Sequence, residues 1–181
     1  TVEKVYGGDK QAYNAMSAWR HTYGDALRPF ICDTSVYLDN ALKEGKRVML
    51  EAQLGALRDI DFGIYPYTSS SSTISAYGPV GAGVPNHKLN LAIGIMKAYS
   101  SCVGEGPFTV EMFGDEAHAL REAGGEYGAA TGRPRRMGAF DAVASRYGVR
   151  VQGADVLALT KMDVLSYMET IPVCVAYDVN G

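Results

Sequence analysis

The segment Val156–Thr160 constrains the fold most strongly, because it is a short apolar run with a helical pattern on each side. Residues 140–147 before it and residues 163–168 after it are predicted helices. Other strands are predicted at residues 46–50, 97–103 and 173–177. Strands that alternate with helices are typical of α/β proteins. We therefore expect an α/β fold with a mixed sheet and flanking helices.

The remaining helices are predicted from apolar residues at helical spacing in the first of them and from start and stop residues in the others, such as Pro85 with Asn86 and the pair Gly124 and Gly125. They cover residues 11–27, 36–44, 85–96 and 115–123. Pro29 ends the first of them, and the cluster that begins at Asp33 supplies a cap for the second. Between residues 52 and 85 the chain is rich in glycine and serine. A loop of that length in a compact domain is usually functional.

The composition excludes some classes of function. The chain has 181 residues, of which 47% are apolar and 20% charged, and its net charge is −3. Proteins that bind nucleic acids are usually basic, so a nucleic-acid partner is not expected. The three cysteines, Cys32, Cys102 and Cys174, form no zinc or redox motif, which fits a reducing cytoplasm. No apolar run is long enough for a membrane span, so no membrane partner is expected.

Residues 160–163 lie at the carboxyl end of the predicted strand Val156–Thr160. Ligands gather at this end of the strands in α/β sheets. The carboxylate of Asp163 can accept hydrogen bonds from N1–H and N2–H₂ of guanine, and the stem of Lys161 can lie on the base. GTP-binding proteins use a similar Lys-x-Asp pattern. The motif is short, and a plain alternative remains open in which Asp163 caps a helix and Lys161 is solvated.

Residues 128–136 form a loop rich in glycine that places Arg133, Arg135 and Arg136 within four positions. Three guanidinium groups repel one another unless anions or carboxylates lie between them. Arginine binds carboxylates and phosphates through two parallel hydrogen bonds, and the glycines let backbone N–H groups approach a ligand. The loop predicts a site for a dicarboxylate or a phosphate. The alternative is a solvated basic loop or a cluster of structural salt bridges.

Residues 59–73 combine an Asp-Ile-Asp-Phe-Gly stretch with the serine run 69–72. Closely spaced hydroxyls can bind phosphate oxygens, although a serine run is often only a flexible loop. The three histidines, His21, His87 and His118, pair with no obvious nucleophile or metal ligand. Surface or packing roles are expected for them.

Taken together, these segments resemble the adenylosuccinate synthetase family. The similar segments occur in the family's order and are residues 59–73, 94–100, 103–108, 125–136, 159–165 and 173–177. The resemblance implies that the chain is an internal piece of a larger P-loop-NTPase-like ligase fold, and both chain ends are interpreted as truncations. Two approximate lobes are expected, a helical and nucleotide-binding segment at 1–96 and an aspartate- and guanine-binding segment at 97–181.

The resemblance also implies a reaction. The family uses GTP and Mg²⁺ to phosphorylate O6 of inosine monophosphate (IMP), and the amine of L-aspartate then displaces the phosphate at C6. By resemblance, the aspartate-binding residues are Thr131, Arg133 and Arg135. The IMP-binding residues are Gln53, Leu54, Thr68, Ser69, Val103 and Arg133. The GTP-binding residues are Arg135, Lys161 and Asp163.

No catalytic residue or magnesium ligand is assigned within the chain. The family's phosphate loop, general base and catalytic histidine have no counterpart in this sequence, and the part that completes the guanine pocket has none either. The chain alone is therefore predicted to be inactive. The resemblance implies a cytoplasmic homodimer for the whole enzyme.

Two positions depart from the family's pattern. Leu54 stands where the family has a glutamine that contacts the nucleotide, and Gln53 would replace it after a small backbone change. Ser69 stands at the position of a threonine that contacts phosphate, a role that Thr68 could take instead. Two other functions therefore remain open. One is a related ligase for another purine nucleotide, and the other is a non-catalytic domain that binds anions through residues 128–136.

Overall fold

The computed structural model describes residues 4, 5, 7 and 13–181, which divide into two compact units at Val48. In the first unit, helix α1 (Tyr13–Leu27) continues into a 3₁₀ turn at Arg28–Phe30, so the helix ends where Pro29 predicted. Residues 11 and 12 of the predicted helix lie outside the described residues.

Helix α2 (Thr34–Lys43) begins at the predicted cap, two residues earlier than expected. The carboxylate of Asp33 accepts hydrogen bonds from the backbone N–H groups of Ser35 at 3.1 Å and Val36 at 3.2 Å. These groups would otherwise have no partner in the first helical turn, so the cap fixes where the helix starts.

The second unit confirms the α/β class. It contains helices α3 (Tyr77–Gly81), α4 (Gly114–Gly124) and α5 (Ala142–Gln152). Its strands are β1 (Ile93–Lys97), β2 (Ser100–Cys102), β3 (Arg136–Gly138), β4 (Phe140–Asp141), β5 (Val156–Thr160) and β6 (Val173–Cys174). Within the described residues they form three two-stranded sheets: β1 and β5 are parallel, β2 and β3 antiparallel, and β4 and β6 parallel.

The parallel pair β1 and β5 sets the position of the candidate site. Ile93 lies opposite Val156, and Lys97 lies opposite Thr160. The carboxyl ends of the two strands therefore meet at one edge, where the backbone N–H of Ala98 donates to the carbonyl of Thr160 at 2.9 Å. Ligands gather at this edge in α/β proteins.

A small core packs beside this edge. It consists of Ala98, Tyr99, Ala117, Leu120, Met137 and Leu165. Helix α4 contributes two of these residues and ends where the glycine pair predicted, because Gly125 adopts a left-handed conformation with φ 63°. Helix α5 begins at Asp141, whose carboxylate accepts a hydrogen bond from the N–H of Ala144 at 2.9 Å.

Two predicted elements are wrong. Residues 85–96 are not a helix, and their second half forms strand β1. Leu89, Leu91, Ile93 and Ile95 alternate with other residues, which is the two-residue period of a strand. The predicted strand at 46–50 is absent, because no strand of the described chain pairs with it, and Met49 is 91% exposed. Extended backbone needs such a neighbour to satisfy its polar groups.

Other predicted helices and strands are present but have different boundaries. The helix predicted at 140–147 lies at Ala142–Gln152, after the short strand β4. The strand predicted at 97–103 is shortened to Ser100–Cys102, and residues 163–168 hold a 3₁₀ helix at Asp163–Tyr167. Strand β5 has the predicted bounds, but most of its side chains are exposed rather than buried.

Candidate functional site

The arginine-rich loop is a hairpin closed by its own backbone. The N–H of Arg135 donates to the carbonyl of Glu126 at 3.1 Å, and the N–H of Gly128 donates to the carbonyl of Arg133 at 2.8 Å. At the tip, the N–H of Gly132 donates to the carbonyl of Gly128 at 2.8 Å. Gly132 has φ 63°, a conformation that side-chain-bearing residues rarely adopt. The turn therefore depends on this glycine.

The three arginines of this hairpin differ in what they contact. Arg133 is exposed, and its side chain has no partner in the part of the chain that the structure describes. Its backbone N–H donates to the hydroxyl of Thr131 at 3.3 Å, which places the two predicted aspartate-binding residues side by side. Arg135 is half-buried, and its Nη1 lies 3.1 Å from Oε2 of Glu126.

Arg136 is held in place by other groups of the protein. Its Nε and Nη2 donate to the two carboxylate oxygens of Glu111 at 2.7 and 2.5 Å. Its Nη1 donates to the carbonyls of Gly104 at 3.1 Å and Gly106 at 3.0 Å. The guanidinium also lies over the ring of Phe108. These contacts use four of its five N–H donors, so Arg136 joins the hairpin to residues 104–108 and has a structural role.

Glu126 is the buried centre of this region, with 3% of its surface exposed. Its Oε1 accepts hydrogen bonds from Lys97 Nζ and Tyr99 OH, both at 2.6 Å, and its Oε2 faces Arg135. Burial alone would raise the pKa of Glu126. Hydrogen bonds from Lys97 and Tyr99, together with the charges of Lys97 and Arg135, hold its pKa below the ordinary value. The side chain is therefore a carboxylate at neutral pH.

The predicted guanine-reading motif lies at the carboxyl end of strand β5. Lys161 has φ 64°, and its Nζ donates to the carbonyl of Gly124 at the end of helix α4, at 3.1 Å. Asp163 is exposed and begins the 3₁₀ helix Asp163–Tyr167, whose cap residue is Met162. No side-chain hydrogen bond caps that helix, so the structure does not place Asp163 as a cap.

The negative charge of Asp163 contributes to the pKa of Tyr99, a buried residue that lies just after strand β1. The pKa of Tyr99 is raised by burial first, then by its hydrogen bond to Glu126, and further by the negative charges of Glu126 and Asp163. Glu126 and Asp163 therefore both act on this one tyrosine. The end of strand β5 also lies close to the hairpin, because Lys161 donates to the carbonyl of Gly124, two residues before Glu126.

A second buried carboxylate, Asp59, organises the serine-containing segment. Asp59 is fully buried and accepts hydrogen bonds from the N–H groups of Asp61 and Phe62 at 2.9 Å and of Thr73 at 2.6 Å. Burial would raise the pKa of Asp59, but these hydrogen bonds lower it below its ordinary value. The segment is thus tied at both ends and is not a structureless loop.

Arg58 brings two predicted IMP-binding segments together. Its Nη1 donates to the carbonyl of Tyr67 at 2.5 Å, and its Nη2 donates to the carbonyl of Val103 at 3.4 Å. The backbone N–H of Ser69 donates to the carbonyl of Arg58 at 2.8 Å. Thr68 and Ser69 are half-buried beside this contact, whereas Val103 is 53% exposed. Arg58 therefore connects the residues predicted to bind the phosphate and the ribose.

Gln53 and Leu54 are both exposed and precede the 3₁₀ turn Ala56–Arg58. Leu54 has φ 81°, a left-handed conformation in which a leucine side chain is strained. The next residue is tied to the same loop, because the carbonyl of Gly55 accepts a hydrogen bond from the hydroxyl of Thr73 at 2.9 Å. The departure at Leu54 thus lies at an unusual backbone position next to the serine-containing segment.

The three predicted groups of ligand-binding residues form a contiguous series of contacts. Lys161 touches the residue at the end of helix α4, Glu126 follows that end and anchors the hairpin, and Arg136 joins the hairpin to residues 104–106. Sequence reasoning missed Glu126 and Arg58 as organising residues. Several of their partners lie 27 to 47 positions away, and the sequence alone gives no indication of such pairings.

Two features are absent from the described residues. No group of three or more histidine, cysteine, aspartate or glutamate side chains is arranged to hold a metal ion in this part of the chain. Among its helices, none combines the length and the apolar character that crossing a membrane requires.

The fold and the candidate site define an α/β protein with an exposed, arginine-rich hairpin at the carboxyl ends of two parallel strands. A sequence model of the adenylosuccinate synthetase family matches residues 1–181. The chain belongs to the adenylosuccinate synthetase family. It is 49% identical over 180 residues to an adenylosuccinate synthetase from a Nocardioides species and 50% identical over 180 residues to one from a Parafrankia species.

These relatives are longer than the chain, which spans 99% of its own length but 42% of theirs. A solved structure of fully ligated adenylosuccinate synthetase from Plasmodium falciparum has a TM-score of 0.84 and 37% identity, over 94% of this chain and 40% of that one. Cyanophage S-2L succinoaminodeoxyadenylate synthetase has a TM-score of 0.58 and 21% identity, over 76% of this chain and 43% of that one. At this identity the second likeness shows the fold alone.

Proposed function

We propose that the chain is the segment of a whole adenylosuccinate synthetase that binds aspartate, the guanine of GTP and part of IMP. The whole enzyme would use GTP to join L-aspartate to IMP. One observation carries the proposal: Glu126 anchors a hairpin on which the side chain of Arg133 is exposed and has no partner among the described residues, next to the predicted IMP and guanine segments. An exposed arginine on a fixed backbone is suited to a carboxylate ligand.

Each part of the hairpin has a role in this proposal. The hydroxyl of Thr131 and the guanidinium of Arg133 would receive the carboxylates of aspartate, with Arg133 also reaching the ribose of IMP. Arg135 would bridge aspartate and the phosphates of GTP, because its Nη1 is held by Glu126 while its Nη2 donates to no group of the described residues. Pro134 stiffens the hairpin, so less conformational entropy is lost on binding.

The IMP site would be built from two loops. Thr68 and Ser69 supply hydroxyls to the phosphate, and Val103 lies at the ribose, with Arg58 holding both segments in place. Gln53 and Leu54 would approach the base from the neighbouring turn. The family's Mg²⁺ would supply charge neutralisation on the phosphates, from ligands elsewhere in the enzyme. A homodimer in the cytoplasm completes the proposal.

Lys161 and Asp163 would read the guanine of GTP. Asp163 is exposed at the strand end and caps no helix, so its two oxygens can accept from N1–H and N2–H₂ of guanine. Adenine offers neither donor in that arrangement. The stem of Lys161 would lie against the base, while its ammonium is fixed on the end of helix α4.

The first experiment compares the chain with the whole enzyme. The product of the complete gene should form adenylosuccinate from IMP, L-aspartate, GTP and Mg²⁺. The 181-residue chain should form none that can be detected, because the groups that position the transferred phosphoryl are absent from its sequence. Turnover by the chain alone would refute this division of roles.

The second experiment tests the guanine assignment in the whole enzyme through Asp163→Asn. The substitution places an amide donor opposite a guanine donor, at a cost on the order of 2–4 kcal/mol. Xanthosine triphosphate carries a carbonyl in place of the guanine amino group, so it should become the better substrate. Steady-state kinetics with both triphosphates measures this switch. Unchanged preference for GTP would contradict the assignment.

Leu54 favours a second candidate, a related ligase that acts on another purine nucleotide. An exposed leucine replaces a polar residue at a strained backbone position beside the proposed IMP site. If this candidate is correct, the whole enzyme should consume another purine monophosphate faster than IMP. A comparison of kcat/KM for IMP, deoxy-IMP, GMP and deoxy-GMP decides between the two candidates.

A further inference from the structure

Glu126 collects cationic and hydroxyl groups from distant parts of the chain. Lys97 ends strand β1, Tyr99 belongs to the core, and Arg135 lies in the hairpin. Lys97 also donates to the hydroxyl of Ser101 on strand β2 at 2.9 Å. The carboxylate of Glu126 is therefore the common anchor of two strands and the hairpin.

The positive charges of Lys97 and Arg135 require a negative group at the position of Glu126. Lys97 and Arg135 both face the buried carboxylate, at 2.6 and 3.1 Å, and they would repel each other if it were removed. With Glu126 present, the Nη1 of Arg135 is engaged, and the orientation of its planar guanidinium is set by that contact. The carbonyl of Arg135 is fixed as well, because Nε of Arg121 donates to it at 2.8 Å.

We infer that Glu126 is a positioning residue for aspartate recognition, which acts by orienting Arg135 and the hairpin that carries Arg133. This inference rests on the proposed function. Glu126 itself touches no substrate. It is buried at the base of the hairpin and orients the arginines toward the place where the substrate carboxylates would bind.

The test uses Glu126→Gln in the whole enzyme, because glutamine keeps the shape of the side chain and removes its charge. The KM for aspartate should rise by about tenfold to a hundredfold, the range expected when a charge-assisted contact is misplaced. The KM for GTP should rise less than that for aspartate, because only the bridging contact of Arg135 to the phosphates is affected. The KM for IMP should change by less than about threefold. A general loss of structure would instead change all three together.

The matched control is Glu111→Gln. It makes the same chemical change at the carboxylate that holds Arg136, a neighbouring arginine of the same loop. It should lower stability without a selective rise in the KM for aspartate. Combining Glu126→Gln with Arg135→Gln should add little to the effect of Arg135→Gln alone, because both act through one guanidinium.

Failure of the proposed function and failure of the role of Glu126 give different experimental results. If the unaltered enzyme makes no adenylosuccinate, the proposed function fails and the inference falls with it. If the unaltered enzyme is active but Glu126→Gln changes all three KM values equally, or multiplies independently with Arg135→Gln, the inference alone is overturned. Glu126→Asp keeps the charge with a shorter reach and provides a folded comparison, for which an intermediate KM for aspartate is expected.

Discussion

Two buried carboxylates organise the serine-containing segment and the arginine-rich hairpin, and they do so with different partners. Asp59 accepts mainly from backbone N–H groups, those of Asp61, Phe62 and Thr73. Glu126 accepts from the side chains of Lys97 and Tyr99 and pairs with Arg135. Asp59 therefore determines the path of the backbone, whereas Glu126 determines where side-chain charges point.

The difference predicts what each loop can tolerate. Backbone N–H groups cannot turn away when their acceptor is removed, and each buried donor left unpaired costs about 1–3 kcal/mol. Lys97 and Arg135 keep 30% and 32% of their side-chain surface exposed, so both cations can turn toward water. Loss of Asp59 should therefore affect folding most, and loss of Glu126 should affect recognition more than folding.

The largest effect is expected from Asp59→Ala. Three backbone donors lose their acceptor, and the free energy of unfolding should fall by about 3–5 kcal/mol. Glu126→Ala should lower it by about 1–3 kcal/mol, since its cationic partners can rehydrate. Urea unfolding followed by circular dichroism measures both values.

Asp61→Ala is the control for this comparison. Asp61 is exposed and lies two residues from Asp59, so its substitution should change stability by less than about 0.5 kcal/mol. Equal losses for Asp59→Ala and Asp61→Ala would show that the loop does not depend on the buried carboxylate. A larger loss for Glu126→Ala than for Asp59→Ala would reverse the comparison.

Local features of the sequence predicted much of the fold. The bounds of strand β5, the cap at Asp33 and the end of helix α4 at its glycine pair are confirmed, because each depends on adjacent residues. The helix predicted at residues 85–96 is wrong, because Pro85 and Asn86 resemble a helix start whereas the residues that follow alternate as in strand β1. The two-residue period of the apolar residues was present in the sequence and indicated a strand.

The organising contacts of the candidate site could not be predicted in the same way. Lys97 and Glu126 are 29 positions apart, and Arg58 reaches residues 44 to 47 positions away. Such pairings follow from tertiary packing and leave no periodic pattern in the sequence. The roles of Thr131, Arg133, Lys161 and the other site residues stay predictions, since binding requires a ligand to test it.

A second prediction separates two arginines of the hairpin. Arg136→Leu should lower the free energy of unfolding by about 1–3 kcal/mol, because it breaks the pair with Glu111 and frees the carbonyls of Gly104 and Gly106. Arg133→Leu should change stability by less than about 0.5 kcal/mol, because Arg133 is exposed and has no side-chain partner in the described residues. Urea unfolding of the chain measures both.

In the whole enzyme the order should reverse for aspartate. Arg133→Leu would remove the proposed charge-assisted contact and should raise the KM for aspartate by an amount equivalent to about 2–4 kcal/mol. Arg136→Leu should have a smaller effect on that KM at temperatures where the variant is folded. Equal effects of the two substitutions on both stability and KM would refute the division of roles within the hairpin.

The smallest effect concerns pH. The pKa values of Asp59 and Glu126 are both lowered on folding, from ordinary values of 3.8 and 4.5. Their stabilising contributions are therefore complete above those values and are lost as pH falls through the folded pKa, by up to about 1.4 kcal/mol per pH unit for each group. Glu126→Gln should flatten the decline that begins near pH 4.5, and Asp59→Asn the decline below about 3.8.

Salt distinguishes the two carboxylates further, because it screens charged partners and leaves neutral ones almost unaffected. Between low and high salt, the stability lost in Glu126→Gln should shrink slightly, whereas the loss in Asp59→Asn should stay constant. Glu111→Gln is the reference, since Arg136 lowers the pKa of Glu111 as well. Unfolding free energies measured from pH 7 to pH 3 at two salt concentrations give both slopes. A salt dependence as large for Asp59→Asn as for Glu126→Gln would mean that charged groups beyond its backbone donors also stabilise Asp59.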